Sequence, residues 1–166
     1  MLEWPDRSVR DLQAAFDRID GPEDARLIIA DTGFFLALAN SRDRDHATAT
    51  AALSDLAEPL VTTWPVLTET CHLMVARLGS RAAETFMASA AKGAFEIFAL
   101  TDEHLPRILE LMRKYRDLPM DLADGSLVIL AEHIGSGRIF STDRRDFGAY
   151  RWKSRRPFQN LLDERH

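Results

Sequence analysis

Short apolar runs alternate with longer stretches in which apolar residues recur every three or four positions. Leu27-Ile28-Ile29-Ala30, Leu60-Val61-Thr62, Phe95 to Leu100 and Arg138 to Ser141 are of the length and character of buried strands. Residues 157–162 read as a fifth strand, at an edge. Between these runs the rhythm predicts helices over 33–40, 44–57, 63–78, 81–92, 101–116 and 121–134. Local chemistry marks their ends. Thr63 is a cap candidate with Pro65 in the first turn, and Gly79-Ser80 interrupts the helical pattern. Thr101, with Glu103 and His104, reads as a capped start, followed by one stripe of Leu105, Ile108, Leu109 and Met112. Asp121 follows Pro119-Met120 and is a better cap than Asp124, which shares its helix face three residues on. Ahead of all this, Val9, Leu12, Phe16 and Ile19 fall at helical spacing, and Gly21-Pro22 marks a turn. The chain therefore divides into an N-terminal helical extension at 1–25, with its helix over 6–20, and a main domain at 26–166.

Strands that alternate with helices imply a parallel sheet covered on both faces. The predicted class is α/β, a four- to five-stranded parallel sheet flanked by helices. In such sheets functional residues gather beyond the C-terminal ends of the strands. Acids stand there. Asp31 follows the first strand and Asp143 the fourth, in Phe140-Ser141-Thr142-Asp143. Glu69 lies in the first turns of the helix after the second strand, and Asp124 near the start of the helix before the fourth. Singly, each has an ordinary explanation: a cap, a turn residue, or an acid favoured by a helix dipole. Jointly, four carboxylates at such ends repel one another and call for a counter-ion. An all-oxygen donor set with no cysteine and little histidine favours a hard cation, Mg²⁺ or Mn²⁺. Such an ion suits phosphodiester hydrolysis.

Other chemistry is poorly represented. The single cysteine, Cys71, excludes an internal disulfide framework and a Cys-rich zinc site. Glu69 and His72 have the spacing of half a di-iron site but no second copy, so His72 reads as a partly buried helix residue. His46, His104 and His133 lack ligand spacing, and no glycine-rich phosphate loop or nucleophile elbow occurs. With 166 residues the chain has the size of one domain. Neither an apolar run long enough for a bilayer nor the apolar core of a leader is evident, which makes the cytoplasm the expected location. The net charge of −5 gives no overall basic footprint. The charge is uneven, however: seven basic residues from Arg138 to Arg156 face only Asp143 and Asp146. An acidic body with one basic strip can hold a polyanion locally.

Four segments resemble the PIN-domain family and, within it, the VapC-type ribonuclease toxins of bacterial toxin–antitoxin pairs. They are Ile28 to Phe35, Val66 to Thr70, Asp117 to Leu127 and Phe140 to Phe147, in that order along the chain. Gly125 stands where a small residue such as alanine is usual. The resemblance implies a PIN-like three-layer sandwich and a metal-dependent RNA endonuclease. Asp31, Glu69, Asp124 and Asp143 would be its catalytic and metal-holding acids, and Asp121 and Asp146 auxiliary ones. Thr32 and Thr142 would orient carboxylates or water. Arg144, Arg145, Arg151 and Lys153 would hold flanking phosphates. It also implies a homodimer and a small antitoxin whose tail enters the acidic site. The helical surface at 66–78 and 81–92, with Ala82, Ala83, Phe86, Met87 and Ala90, is the apolar face expected at the dimer interface. The rival reading is a PIN-like module that binds RNA or protein without cleaving; a dead module has no need to keep four like charges together.

Overall fold

The structure is a computed structural model that describes residues 27–118 and 120–163. The extension at 1–25 and its predicted helix lie outside the described residues. The strands are β1 (Ile28–Ala30), β2 (Leu60–Thr63), β3 (Glu96–Phe98), β4 (Arg138–Phe140), β5 (Arg151–Trp152), β6 (Arg156–Pro157) and β7 (Gln159–Asn160). The helices are α1 (Thr32–Ala39), α2 (His46–Ser54), α3 (Trp64–Leu78), α4 (Ser80–Ala91), α5 (Leu105–Lys114), α6 (Leu122–Ile134) and α7 (Arg144–Ala149). A short 3₁₀ turn at Asp102–His104 leads into α5.

Five strands form one sheet in the order β3-β2-β1-β4-β7, every pairing parallel. β1 is central because all three of its residues are apolar and buried. Its register sets Ile29 against Val61 on one side and Ile139 on the other. α6 lies against β1 and β2, and α5 covers α6. Nine of the residues of α6, from Ala123 to Ile134, are buried, which is why its sequence reads as apolar nearly all round. On α1, Phe34 stacks on Phe140 at 4.8 Å, while Phe35 meets Phe86 at 5.0 Å and Phe95 at 4.9 Å. Among the described residues no helix is long and apolar enough to cross a membrane.

Several expectations need correction. Thr63 does not cap α3; its hydroxyl bonds Ser126 Oγ at 2.5 Å, because both groups are buried and need a partner. His72 is exposed rather than partly buried. Ala83 and Phe86 face the core, not an open interface, since α4 turns its apolar stripe towards Phe35 and Phe95. Helix α7 and the β5–β6 hairpin were not foreseen. α7 has only six residues, too few to show a period. The hairpin turns at Lys153 (φ 42°) and Ser154 (φ 67°), a left-handed pair without the glycine or asparagine that usually signals such a turn.

The hairpin is pinned by Trp152, whose Nε1 donates to Pro157 O at 2.9 Å while Lys153 and Arg156 lie near its ring face. Gly137 makes room for it: a Cβ there would stand 2.3 Å from Trp152 Nε1 and 2.9 Å from Cδ1. The buried indole has little freedom to retreat. Gly137→Ala is therefore expected to lower stability by about 1–3 kcal/mol, as overpacking does, with a shifted Trp fluorescence. Urea unfolding checks this.

Candidate active site

The site is assembled at the C-terminal edge of the sheet. Parallel pairing of β1 with β4 brings Asp31 beside Ser141, and Asp31 N donates to Phe140 O at 3.2 Å. Asp31 is only 6% exposed, and both of its oxygens are held. Oδ1 accepts from Phe34 N at 2.8 Å, capping α1, and Oδ2 accepts from Ser141 Oγ at 2.5 Å. Ser141 Oγ in turn accepts from Asp143 N at 2.9 Å, so one hydroxyl links two acids. Asp143 caps α7 through Asp146 N at 3.0 Å. On α3, Glu69 Oε2 accepts from Thr32 Oγ1 at 2.5 Å. Asp121 and Asp124 form the capping box of α6: Asp124 N donates to Asp121 Oδ1 at 2.9 Å, and Asp124 Oδ2 faces Asp121 N at 3.4 Å. Ordinary capping and site placement are thus the same geometry, not alternatives.

Asp31, Glu69, Asp124, Asp143, Asp121, Asp146, Thr32 and Thr142 all line one cleft of about 330 Å³. Gly33 lets the Asp31 turn approach Thr142, because a Cβ there would stand 2.1 Å from Thr142 Oγ1. The basic candidates separate. Arg144 and Arg145 line a neighbouring hollow. Arg151 instead turns its Nη1 onto the carbonyls of Gly148, Ala149 and Tyr150. Lys153 sits at the hairpin turn, its backbone N bonded to Glu132 Oε1 at 2.9 Å.

Two partners of the acids were not assigned in the sequence. Ser141 stood inside a noted segment, and its position between strand and acid was the available signal. Tyr150, fully buried, reaches Asp124 Oδ2 with its hydroxyl at 3.2 Å. It lies 26 residues from Asp124 with no spacing that would announce the contact. Tyr115 and Phe147 pack edge-on against its ring and hold it there.

The electrostatics show that the acids sense one another. Burial, with Asp143 and Glu69 adding repulsion, pushes the Asp31 carboxyl up to about 7 against hydrogen bonds from Ser141 and Phe34 that pull it down. Burial also pushes Asp124 up to about 7, with Asp121 and Asp146 repelling it. Tyr150, desolvated and facing carboxylates, is raised well above the usual phenol range. Among the described residues no three acid, histidine or cysteine side chains are already drawn together as a chelating group. The donor set nonetheless fits Mg²⁺ or Mn²⁺: it is all oxygen, it repels itself, and Mg²⁺ is commonly held by one or two carboxylates with water completing its shell.

Comparison with known proteins shows the family and the fold. The family model for the PIN domain matches residues 28–153, so the chain belongs to the PIN-domain family. Within it, Ribonuclease VapC26 of Mycobacterium tuberculosis is 29% identical over 124 residues, which cover 75% of this chain and 92% of that protein. The crystal structure of Mycobacterium tuberculosis VapC20, described as a sarcin-ricin loop cleaving toxin, superposes with a TM-score of 0.67 at 23% identity. The match covers 72% of this chain and 92% of that one. The parallel sheet flanked by helices is therefore the PIN fold.

A pH dependence follows. Asp31 is protonated in the fold up to about pH 7 but only to about 3.8 in the unfolded chain. Between those limits the folded state binds more protons, so raising pH removes stability. Without divalent cations, this group should cost roughly 2–4 kcal/mol by pH 8 relative to pH 4. Asp31→Asn keeps a capping oxygen and should flatten that part of the slope. Urea midpoints of both proteins from pH 4 to 8 test it; equal slopes would refute the assignment.

Proposed function

We propose that this protein is an Mg²⁺- or Mn²⁺-dependent RNA endonuclease, a VapC-type toxin that hydrolyses phosphodiester bonds. The observation that carries the reading is the meeting of Asp31, Glu69, Asp124 and Asp143 in one cleft of a PIN domain. The relation to Ribonuclease VapC26 supports RNA as the substrate. Asp31, Glu69, Asp124 and Asp143 would hold the cation, supported by Asp121 and Asp146, and a bound cation would supply Lewis acidity and charge stabilisation. The chain's own residues set the stage. Ser141 fixes Asp31 relative to Asp143, Thr32 orients Glu69, and Tyr150 steadies Asp124. Thr142, on the cleft wall, offers a hydroxyl to carboxylate or water. Of the basic groups expected to hold flanking phosphates, Arg144 and Arg145 border the cleft and are the ones proposed here, while Arg151 and Lys153 are turned to the hairpin side.

Asp143→Asn should abolish cleavage while single-stranded RNA binding persists or strengthens, because a negative charge facing phosphate is lost. A cleavage assay with and without Mg²⁺, beside fluorescence anisotropy, reads both effects. Cleavage that survives both chelation and this substitution would overturn the mechanism and favour the non-catalytic module.

The reading extends to partners. The cleft carries six carboxylates, which suits the basic tail of a small antitoxin protein working in the cytoplasm. A homodimer is also proposed. Trp64, Val75 and Met87 on the α3–α4 pair are exposed large apolar groups available to it, in place of the buried Phe86. Light scattering at micromolar concentration should give twice the mass of the chain.

A further inference from the structure

A second hollow adjoins the acid cleft. It encloses about 410 Å³ and is lined by Arg44, Thr142, Asp143, Arg144 and Arg145. Thr142 and Asp143 are common to both cavities, so they form a shared wall. The arginines come from two separate parts of the chain: Arg44 from the α1–α2 loop, Arg144 and Arg145 from the first turn of α7.

Buried Asp45 ties these parts together. Its Oδ2 accepts from Arg44 Nε at 3.1 Å, and its Oδ1 from Arg144 Nη1 and Nη2 at 3.3 and 3.4 Å. Arg144 Nε also donates to Asp163 Oδ1 at 2.5 Å. Arg145 Nε donates to Asp146 Oδ1 at 2.8 Å. Arg44 and Arg145 thus meet their carboxylates through Nε, while their side chains are 82% and 76% exposed. Each keeps the two-pronged Nη edge that matches a phosphate in geometry.

We propose that this hollow is a phosphate-binding cradle, in which Arg44 and Arg145 grip a phosphate of the RNA strand beside the acid cleft. The inference rests on the nuclease reading and adds a residue from outside the basic strip. Asp45, Asp146 and Asp163 balance the three arginines charge for charge, and Asp143 repels an anion from the shared wall. The cradle therefore works by directed N–H bonds on the arginine side, not by a broad positive field. The strand is then anchored on the α7 side of the cleft, and the α1–α2 loop becomes part of the substrate site. The phosphate is either a phosphodiester within the strand or a terminal phosphate monoester, since both present the same oxygens to a guanidinium.

The test uses the full chain carrying Asp31→Asn, so that RNA stays intact. Fluorescence anisotropy over a KCl series would measure binding of one single-stranded RNA with a 5′-hydroxyl and the same RNA with a 5′-phosphate. Arg44→Ala and Arg44→Gln should each weaken binding about tenfold, as loss of a charge-assisted hydrogen bond does. Each should also lower the log–log salt slope by about 0.7. Arg77→Ala, exposed on α3, should change neither. Equal loss with both RNAs identifies an internal phosphodiester; loss confined to the 5′-phosphate RNA identifies a terminal phosphate. Melting temperatures exclude misfolding, and two Arg44 variants guard against an effect peculiar to one. Unchanged RNA affinity and slope in both variants would overturn the cradle and leave an acidic partner protein as its occupant. The nuclease reading is judged separately, by cleavage with the unsubstituted protein: absent cleavage with intact RNA binding would sink that reading and leave the cradle standing.

Discussion

The arrangement turns on a carboxylate buried at the end of the central strand. Asp31 has lost nearly all contact with water and is repelled by Asp143 and Glu69. Charging a carboxyl buried in this way is expensive, so it keeps its proton up to about pH 7. It is held by directed donors: the Phe34 N–H and the Ser141 hydroxyl. Asp121 and Asp143 are held in the same manner, each accepting a backbone N–H at the start of a helix. Helix caps of this kind each contribute about 1 kcal/mol. The acids therefore start three helices while they crowd one cleft. Stability and site charge are coupled through the same oxygens, which explains why the cleft persists in a fold that its charges oppose.

The same coupling extends outward to the arginines. Asp45 carries Arg44 and Arg144, and Asp146 carries Arg145, so positive groups are stationed beside negative ones without filling the cleft itself. The run of basic residues from 138 to 156 does not act as one surface. Arg138 is paired with Glu58 at 3.0 Å, at the N-terminal end of β4, away from the acids. Arg151 is folded back on its own chain, and Arg156 lies with Lys153 near Trp152. A linear charge count could not anticipate this division, because helix α7 and the hairpin send successive residues in different directions.

Much of the fold was legible because its signals are local. β1 and β2 are short apolar runs, α6 has an unbroken apolar character, and Asp121 carries the pattern of a cap. The four acids were legible for a related reason: a parallel sheet collects its strand ends on one side, so Asp31 and Asp143 just beyond those ends meet Glu69 and Asp124 in the opening turns of helices that begin there. Of the edge strand read at 157–162, Gln159–Asn160 pair with β4, while Pro157 belongs to the hairpin and pairs with Arg151. The limits are also local. Six residues of α7 show no periodicity, and the Lys153-Ser154 turn lacks its usual residues.

Tertiary structure alone decided the partners. Periodicity gives α4 an apolar stripe but not its direction; Phe35 and Phe95 draw Phe86 inward. Thr63 has the chemistry of a cap, yet the buried Ser126 hydroxyl claims it. Tyr150 reaches Asp124, and Asp45, already bonded to Arg44, reaches Arg144 across 99 residues of chain. The sequence by itself determined which groups could carry the chemistry and at which end of the sheet they would stand. Which hydroxyl steadies each acid, and which arginines border the cleft, followed only from packing, because a hydrogen bond depends on distance in space and not on separation along the chain.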